Sequence, residues 1–316
     1  MTRTPPRQRA IPTDPPTDSD GADAIDRGIE QGMALLRGGD ADAALAAFVE
    51  AERVATAAND AAGRSSALRH QSIALRQKSR WDEAAALAVK AADVARAAGL
   101  REPLAEALNA EAGVYQSRGD FDRAESLLAD AFATTDDRRL LGVIYANTGS
   151  IAAQRGDLDA ATRQFLASAG EFRRCGYAFG EATVLNNIGR TALDRGNGRV
   201  AAPLLRDALG PAQRGGDAEQ IAVVQRNLAE ALWLVSELAE AQTVAEAALA
   251  TFEASGNEAR CVECLRVLGE IAEASGDRAA AIRRWREALP MAAAAPAEHD
   301  RVVERLRSVG AASEGA

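Results

Sequence analysis

Along most of the chain, apolar and small residues run at helical spacing, break at a few polar residues, and resume. Seven of these interruptions align: GGDADAALAAF, SRWDEAAALA, RGDFDRAESLL, RGDLDAATRQF, RGNGRVAAPLL, VSELAEAQTVA and SGDRAAAIRRW. In each, a small residue and two or three polar ones precede an alanine. Those alanines are Ala44, Ala84, Ala124, Ala161, Ala201, Ala241 and Ala281, at intervals of 40, 40, 37, 40, 40 and 40 residues. A sustained period of this size marks a repeat array, each unit being one supersecondary element that buries its apolar face against its neighbours.

Further columns keep the same register. Twelve residues earlier every repeat has a small residue: Gly32, Ser72, Ala112, Gly149, Gly189, Ala229 and Gly269. Four residues after the alanine stand Phe48, Ala88, Leu128, Phe165, Leu205, Ala245 and Trp285, and seven after it Ala51, Ala91, Ala131, Ser168, Ala208, Ala248 and Ala288. Small residues let helices cross closely, and larger ones fill the space left between them. The pattern predicts two antiparallel helices per repeat, with Gly99, Gly176, Gly216 and Gly256 at the turns into the next repeat. Repeat three is three residues short at TTDDRRL and lacks such a glycine, so a local change of twist is expected near residue 136. The expected organisation is a disordered arm over residues 1–23, an array over 24–296, and a capping helix and tail over 297–316.

Composition supports helices only. Hydrophobic residues make up 47% of the chain and aromatics 4%, alanine runs abound, and alternating β-branched runs are missing. A formal net charge of −9 offers no footprint for a phosphate backbone, so nucleic acid is not an expected partner. No apolar run reaches the roughly 18 to 20 residues that span a bilayer, and the start lacks the apolar core of a signal peptide. The expectation is a cytoplasmic protein without a membrane partner.

The order of small residue, apolar residue, Gly-Asp turn, alanine, bulky apolar residue and alanine resembles the tetratricopeptide signature. LNNIGRTALDRGN and RVLGEIAEASGD are similar to the longer repeats, near 40 residues, of kinesin light chains and signalling adaptors. The resemblance covers about residues 24–296. It departs from the family where most first helices lack a large aromatic at their start, and where the first-helix tyrosine survives only at Tyr115. It implies an all-α, right-handed superhelical solenoid of about seven repeats, whose first helices line a concave groove holding a peptide or helix of a partner protein.

Within that frame the most informative polar column is Asn147, Asn187 and Asn227, two residues before the small-residue column. Asparagine is a mediocre helix former, so its recurrence inside helices needs a reason. A side-chain amide offers a donor and an acceptor and so matches a main-chain peptide unit without reading its side chain. The same residues can instead tie neighbouring helices together. Asn109, Asn186, Arg190, Arg226 and Arg266 share these faces by helical spacing. The arginines suit an acidic partner, or pair at i, i+4 with Glu230 and Glu270.

Other chemistry has no residues to stand on. Cys261 and Cys264 form a lone C-x-x-C inside a helix, far from His70 and His299, so neither a metal nor a cofactor is expected. No phosphate loop, metalloprotease pattern or nucleophile elbow occurs, and no catalytic residue is expected. The competing expectation is a regulatory sensor that binds a small ligand or self-assembles. The oligomeric state and the partner are not legible.

Overall fold

The computed structural model describes residues 18–311. Most of the arm, residues 1–17, and the last five residues lie outside the described residues. Each repeat is a helix pair: α1 (Asp18–Arg37) with α2 (Ala41–Ala57), α3 (Ala61–Gln77) with α4 (Trp81–Ala97), and α5 (Arg101–Arg118) with α6 (Phe121–Thr134). The later pairs are α7 (Arg138–Gln154) with α8 (Leu158–Cys175), α9 (Ala178–Asp194) with α10 (Gly198–Gly215), α11 (Ala218–Leu234) with α12 (Leu238–Ser255), and α13 (Glu258–Ala274) with α14 (Arg278–Ala288). A 3-10 segment, Leu289–Ala294, leads to α15 (Pro296–Ser308), at the place where a capping helix was expected. Among the described residues there is no strand, and the fold is an all-α helical repeat solenoid. Helix α1 starts inside the segment read as a disordered arm. Ile25, 2% exposed, pins its first turns, and helix propagation from a fixed turn is inexpensive.

The chain divides into two compact units between Thr135 and Asp136, where repeat three is short. Helix α6 stops after 14 residues at an extended Thr135 (φ −113°, ψ 149°) instead of a left-handed turn. The other turns between repeats are left-handed at Asn59, Gly99, Gly176, Gly216 and Gly256, and the turn inside every repeat is left-handed at one fixed place: Gly39, Ser79, Gly119, Gly156, Gly196, Ser236 and Gly276. Glycine adopts that region freely, whereas Ser79 (φ 56°) and Ser236 (φ 64°) hold it at a cost of about 1 kcal/mol each. Asp40, Asp120, Asp157 and Asp277 then cap the second helices by accepting from a main-chain N–H three residues on.

The two small-residue and bulky-residue columns meet face to face. A Cβ placed on Gly32, Gly149, Gly189 or Gly269 would lie under 3.0 Å from Phe48, Phe165, Leu205 or Trp285 respectively. Where the small position is Ser72 or Ala229, its partner position holds Ala88 or Ala245. In these six pairs volume is conserved across the helix pair, as dense packing requires, while repeat three sets Ala112 opposite Leu128. Ser168, the single serine in the third column, is fully buried and donates to the Gly142 carbonyl at 2.6 Å. On the surface, Lys78 pairs with Asp42, Arg118 with Asp82 (2.9 Å) and Arg195 with Asp159 (3.0 Å), each joining one repeat to the next. These exposed pairs contribute little individually.

Candidate functional site

Within each unit the first helices lie side by side. Helix α3 packs on α1 and α5 in the first unit, and α7, α9, α11, α13 and α15 follow one another in the second. No two second helices of the described residues pack on each other in this way, so the first helices form the inner layer of each unit. Seven of the eight sequence-predicted site residues lie on the inner layer of the second unit. Asn109 lies on α5 in the first unit, half-buried and engaged by contacts of its own.

The asparagine column does not behave as one set. Asn227 on α11 is 2% exposed, and its amide donates to Asn186 Oδ1 on α9 at 2.7 Å. It therefore braces two adjacent inner helices, the second of the roles open to it from the sequence. Its own Oδ1 is buried without a partner. Asn186 and Asn187 are half-buried, and Asn187 offers its side-chain amide to no other described residue. Asn147 on α7 is half-buried and engaged.

The arginines are also split by their surroundings. Arg190 pairs with Asp194 at 3.1 Å on the same helix. Arg226 and Arg266, each 5% exposed, sit inside a lattice of carboxylates. Arg226 reaches Glu263 (3.2 Å) and Glu230 (3.4 Å), and Arg266 reaches Glu298 (2.5 Å), Glu270 (2.8 Å) and Glu230 (3.7 Å). Arg305 of α15 closes on Glu270 at 3.4 Å. Burial pushes the Arg226 guanidinium below its ordinary value, against the pull of Glu263 and Glu230. Burial acts the same way on Arg266, but Glu270, Glu230 and Glu298 together hold it above its ordinary value. Both guanidinium groups are committed to internal carboxylates, the i, i+4 partners Glu230 and Glu270 among them, which is the second of the two roles open to them from the sequence. Two buried charges on adjacent first helices are tolerable only with such compensation.

This lattice floors a cavity of about 530 Å³ between α9, α11, α13 and α15, lined by Arg190, Asp194, Glu230, Arg266, Glu270 and Arg305 among others. The sequence reading missed Glu263, which meets Arg226 across α11 and α13, and Glu298 and Arg305, which come from α15 outside the repeat register. It also missed Phe179, Thr183, Gln220 and Val223, which precede the asparagines on the inner stripes of α9 and α11. Their signal was available: Phe179, Thr183, Asn186 and Arg190 stand at helical intervals of four, three and four. Trp233 is half-buried and packs on the core beneath. Cys261 and Cys264 are buried, and burial raises the Cys264 thiol to about 12. Among the described residues no group of side chains is arranged to hold a metal ion, and no helix is long and apolar enough to cross a membrane.

No family model and no curated protein matches the chain. Solved structures do. BtubC (BKLC) from P. vanneervenii is 24% identical, with a TM-score of 0.59 over 68% of this chain and 91% of that one. A Signal Transduction ATPase with Numerous Domains carrying a tetratricopeptide repeat sensor, from Pyrococcus horikoshii, is 16% identical with a TM-score of 0.70. That match covers 90% of this chain but 43% of the other, so the chain spans less than half of that protein. The apo quorum sensor NprR from B. thuringiensis is 13% identical, with a TM-score of 0.63 over 86% of this chain and 77% of that one. At such identities the likeness is one of fold, and it agrees with the repeat register and the pairwise helix packing. The chain thus has the fold of a tetratricopeptide-type helical repeat.

Proposed function

We propose that the inner face of the second unit, centred on α7, α9 and α11, binds a segment of a partner protein and catalyses nothing itself. The observation that carries this reading is the contrast along the face. On α11 and α13 the inner polar residues Asn227, Arg226 and Arg266 are buried and spent on internal partners, whereas on α9 Asn187 remains half-buried with its amide uncommitted. A rigid charged framework beside the uncommitted amide of Asn187 suits main-chain recognition, because the donor and acceptor are held in place before the ligand arrives. Asn147 and Asn187 are the residues assigned to the partner, and Asn227 and the buried arginines hold the surface on which they stand.

The test is a peptide or protein selected on the full chain and titrated against Asn147→Ala/Asn187→Ala. The expected result is at least a tenfold loss of affinity at unchanged helicity. Equal binding by the folded double variant refutes the assignment. Asn227→Ala serves as a contrast, since it is expected to lower stability before it lowers affinity. A small-ligand sensor is the second reading, and the 530 Å³ cavity favours it. Its buried charges are already neutralised internally, so the peptide reading is preferred. Thermal stabilisation by metabolites but not by peptides would reverse that preference.

A further inference from the structure

The groove between α9 and α11 opens, near the N-terminal ends of both helices, into a cavity of about 270 Å³. Its wall on α9 is Phe179, Thr183 and Asn186, and on α11 it is Val223 with the fully buried Val224 behind it. Phe179 is 41% exposed, although most large apolar side chains of the unit are covered. The wall is held in place: Gln220 Nε2 donates to the Phe179 carbonyl and to Thr183 Oγ1, both at 2.8 Å, tying α11 to α9 directly beneath the opening. Asn186 also contributes. Its Oδ1 accepts from Asn227, which leaves the Asn186 amide N–H groups without a partner among the described residues.

The rim has one sign of charge. Asp217 and Glu219, on the α11 side, line the cavity. Asp217 accepts the Gln220 main-chain N–H at 2.9 Å as the helix cap, and neither carboxylate meets a cation of the described residues. Most other carboxylates of the inner face in this unit are paired with arginine, including Asp194, Glu230, Glu263, Glu270 and Glu298. An open aromatic wall gains from being covered, and unpaired carboxylates at its edge gain from a cation.

We propose that this cavity is the anchor subsite of the binding face and takes an aliphatic side chain of the partner segment with a lysine or arginine next to it. The aliphatic group lies against Phe179 and Val223, the cation meets Glu219 and Asp217, and the Asn186 amide donates to a main-chain carbonyl of the segment. This assignment rests on the reading of the inner face as a protein-binding surface, and it adds the chemistry of the occupant.

The experiment uses a displayed library of random peptides panned on the full chain, with affinities of selected peptides measured on Phe179→Ala, Glu219→Lys and Asn147→Ala/Asn187→Ala. The expected sequences share an aliphatic residue beside lysine or arginine. Phe179→Ala should weaken them by about tenfold, as for a buried interface anchor. Glu219→Lys should weaken them by about fivefold, with the difference shrinking as salt is raised. Peptides that lose affinity with the asparagine pair but ignore Phe179 and Glu219 would overturn the subsite and leave the face reading intact. Peptides that need Phe179 but carry no basic residue would overturn the stated occupant. Selection of no peptide, or of peptides indifferent to all these variants, would remove both assignments.

Discussion

Replacing Gly269 by alanine probes the volume matching seen in six of the seven repeats. The new Cβ would fall under 3.0 Å from the indole of Trp285, which is fully buried and donates its Nε1–H to the Arg266 carbonyl at 3.3 Å. Overpacking of this kind costs about 2 kcal/mol, and displacing the indole loses its hydrogen bond for about 1 kcal/mol more. Alanine in a helix interior returns about 1 kcal/mol relative to glycine. The expected net loss is therefore about 2 kcal/mol. Trp285→Leu alone should cost about 3 kcal/mol through the cavity it leaves. The double variant Gly269→Ala/Trp285→Leu should lose less than the sum, with a coupling of at least about 1 kcal/mol, because the repeat with Ala229 opposite Ala245 already accommodates a methyl group there. Urea unfolding followed by far-ultraviolet circular dichroism on the four proteins measures it. If Gly269→Ala is as stable as the parent or more so, and the double variant is additive, the matched columns are not what sets the helix spacing.

Other consequences follow from buried charge and strain. His70 is buried, and burial together with Arg69 lowers it to about 4, while the Ser66 carbonyl at 2.8 Å opposes that shift. A histidine depressed in the folded state favours folding when neutral, so its contribution is complete above its unfolded value of about 6.5 and is lost as pH falls towards 4. The parent should lose up to about 3 kcal/mol over that range that His70→Gln does not lose, as read from urea midpoints at successive pH values. Arg266→Ala strands Glu270, Glu230 and Glu298 and should cost about 3 kcal/mol, with part recovered when Glu270 is also changed to alanine. Equal stabilities in melting experiments would show that the lattice is not needed. Ser236→Gly releases a left-handed serine and should raise stability by about 0.5 kcal/mol in the same melts, whereas a loss would mean the turn is not strained.

How the candidate site divides into binding and bracing residues could not be read from helical spacing. Asn186, Arg226 and Arg266 hold equivalent positions 40 residues apart. Asn186 is half-buried and accepts a neighbour's amide, while the two arginines are enclosed by glutamates from three helices. Periodicity reports which face a residue is on. It does not report how closely the next inner helix approaches, and that distance decides whether a polar side chain meets solvent or another residue. Glu298 comes from α15, outside the repeat register altogether, so its bond to Arg266 has no counterpart in the pattern.

The sequence by itself determined the seven helix pairs, the position of the shortened repeat and the matching of glycine with a bulky partner. These are local or nearly local features, set by helix period, turn residues and volumes 16 residues apart. Only the tertiary structure decided that the chain falls into two units at residue 135, that Asn227 and the two arginines are buried, and that Phe179 stands open above Val223. Those outcomes depend on contacts between helices about 40 residues apart, where small differences in helix approach turn the same spacing into either a brace or an open surface.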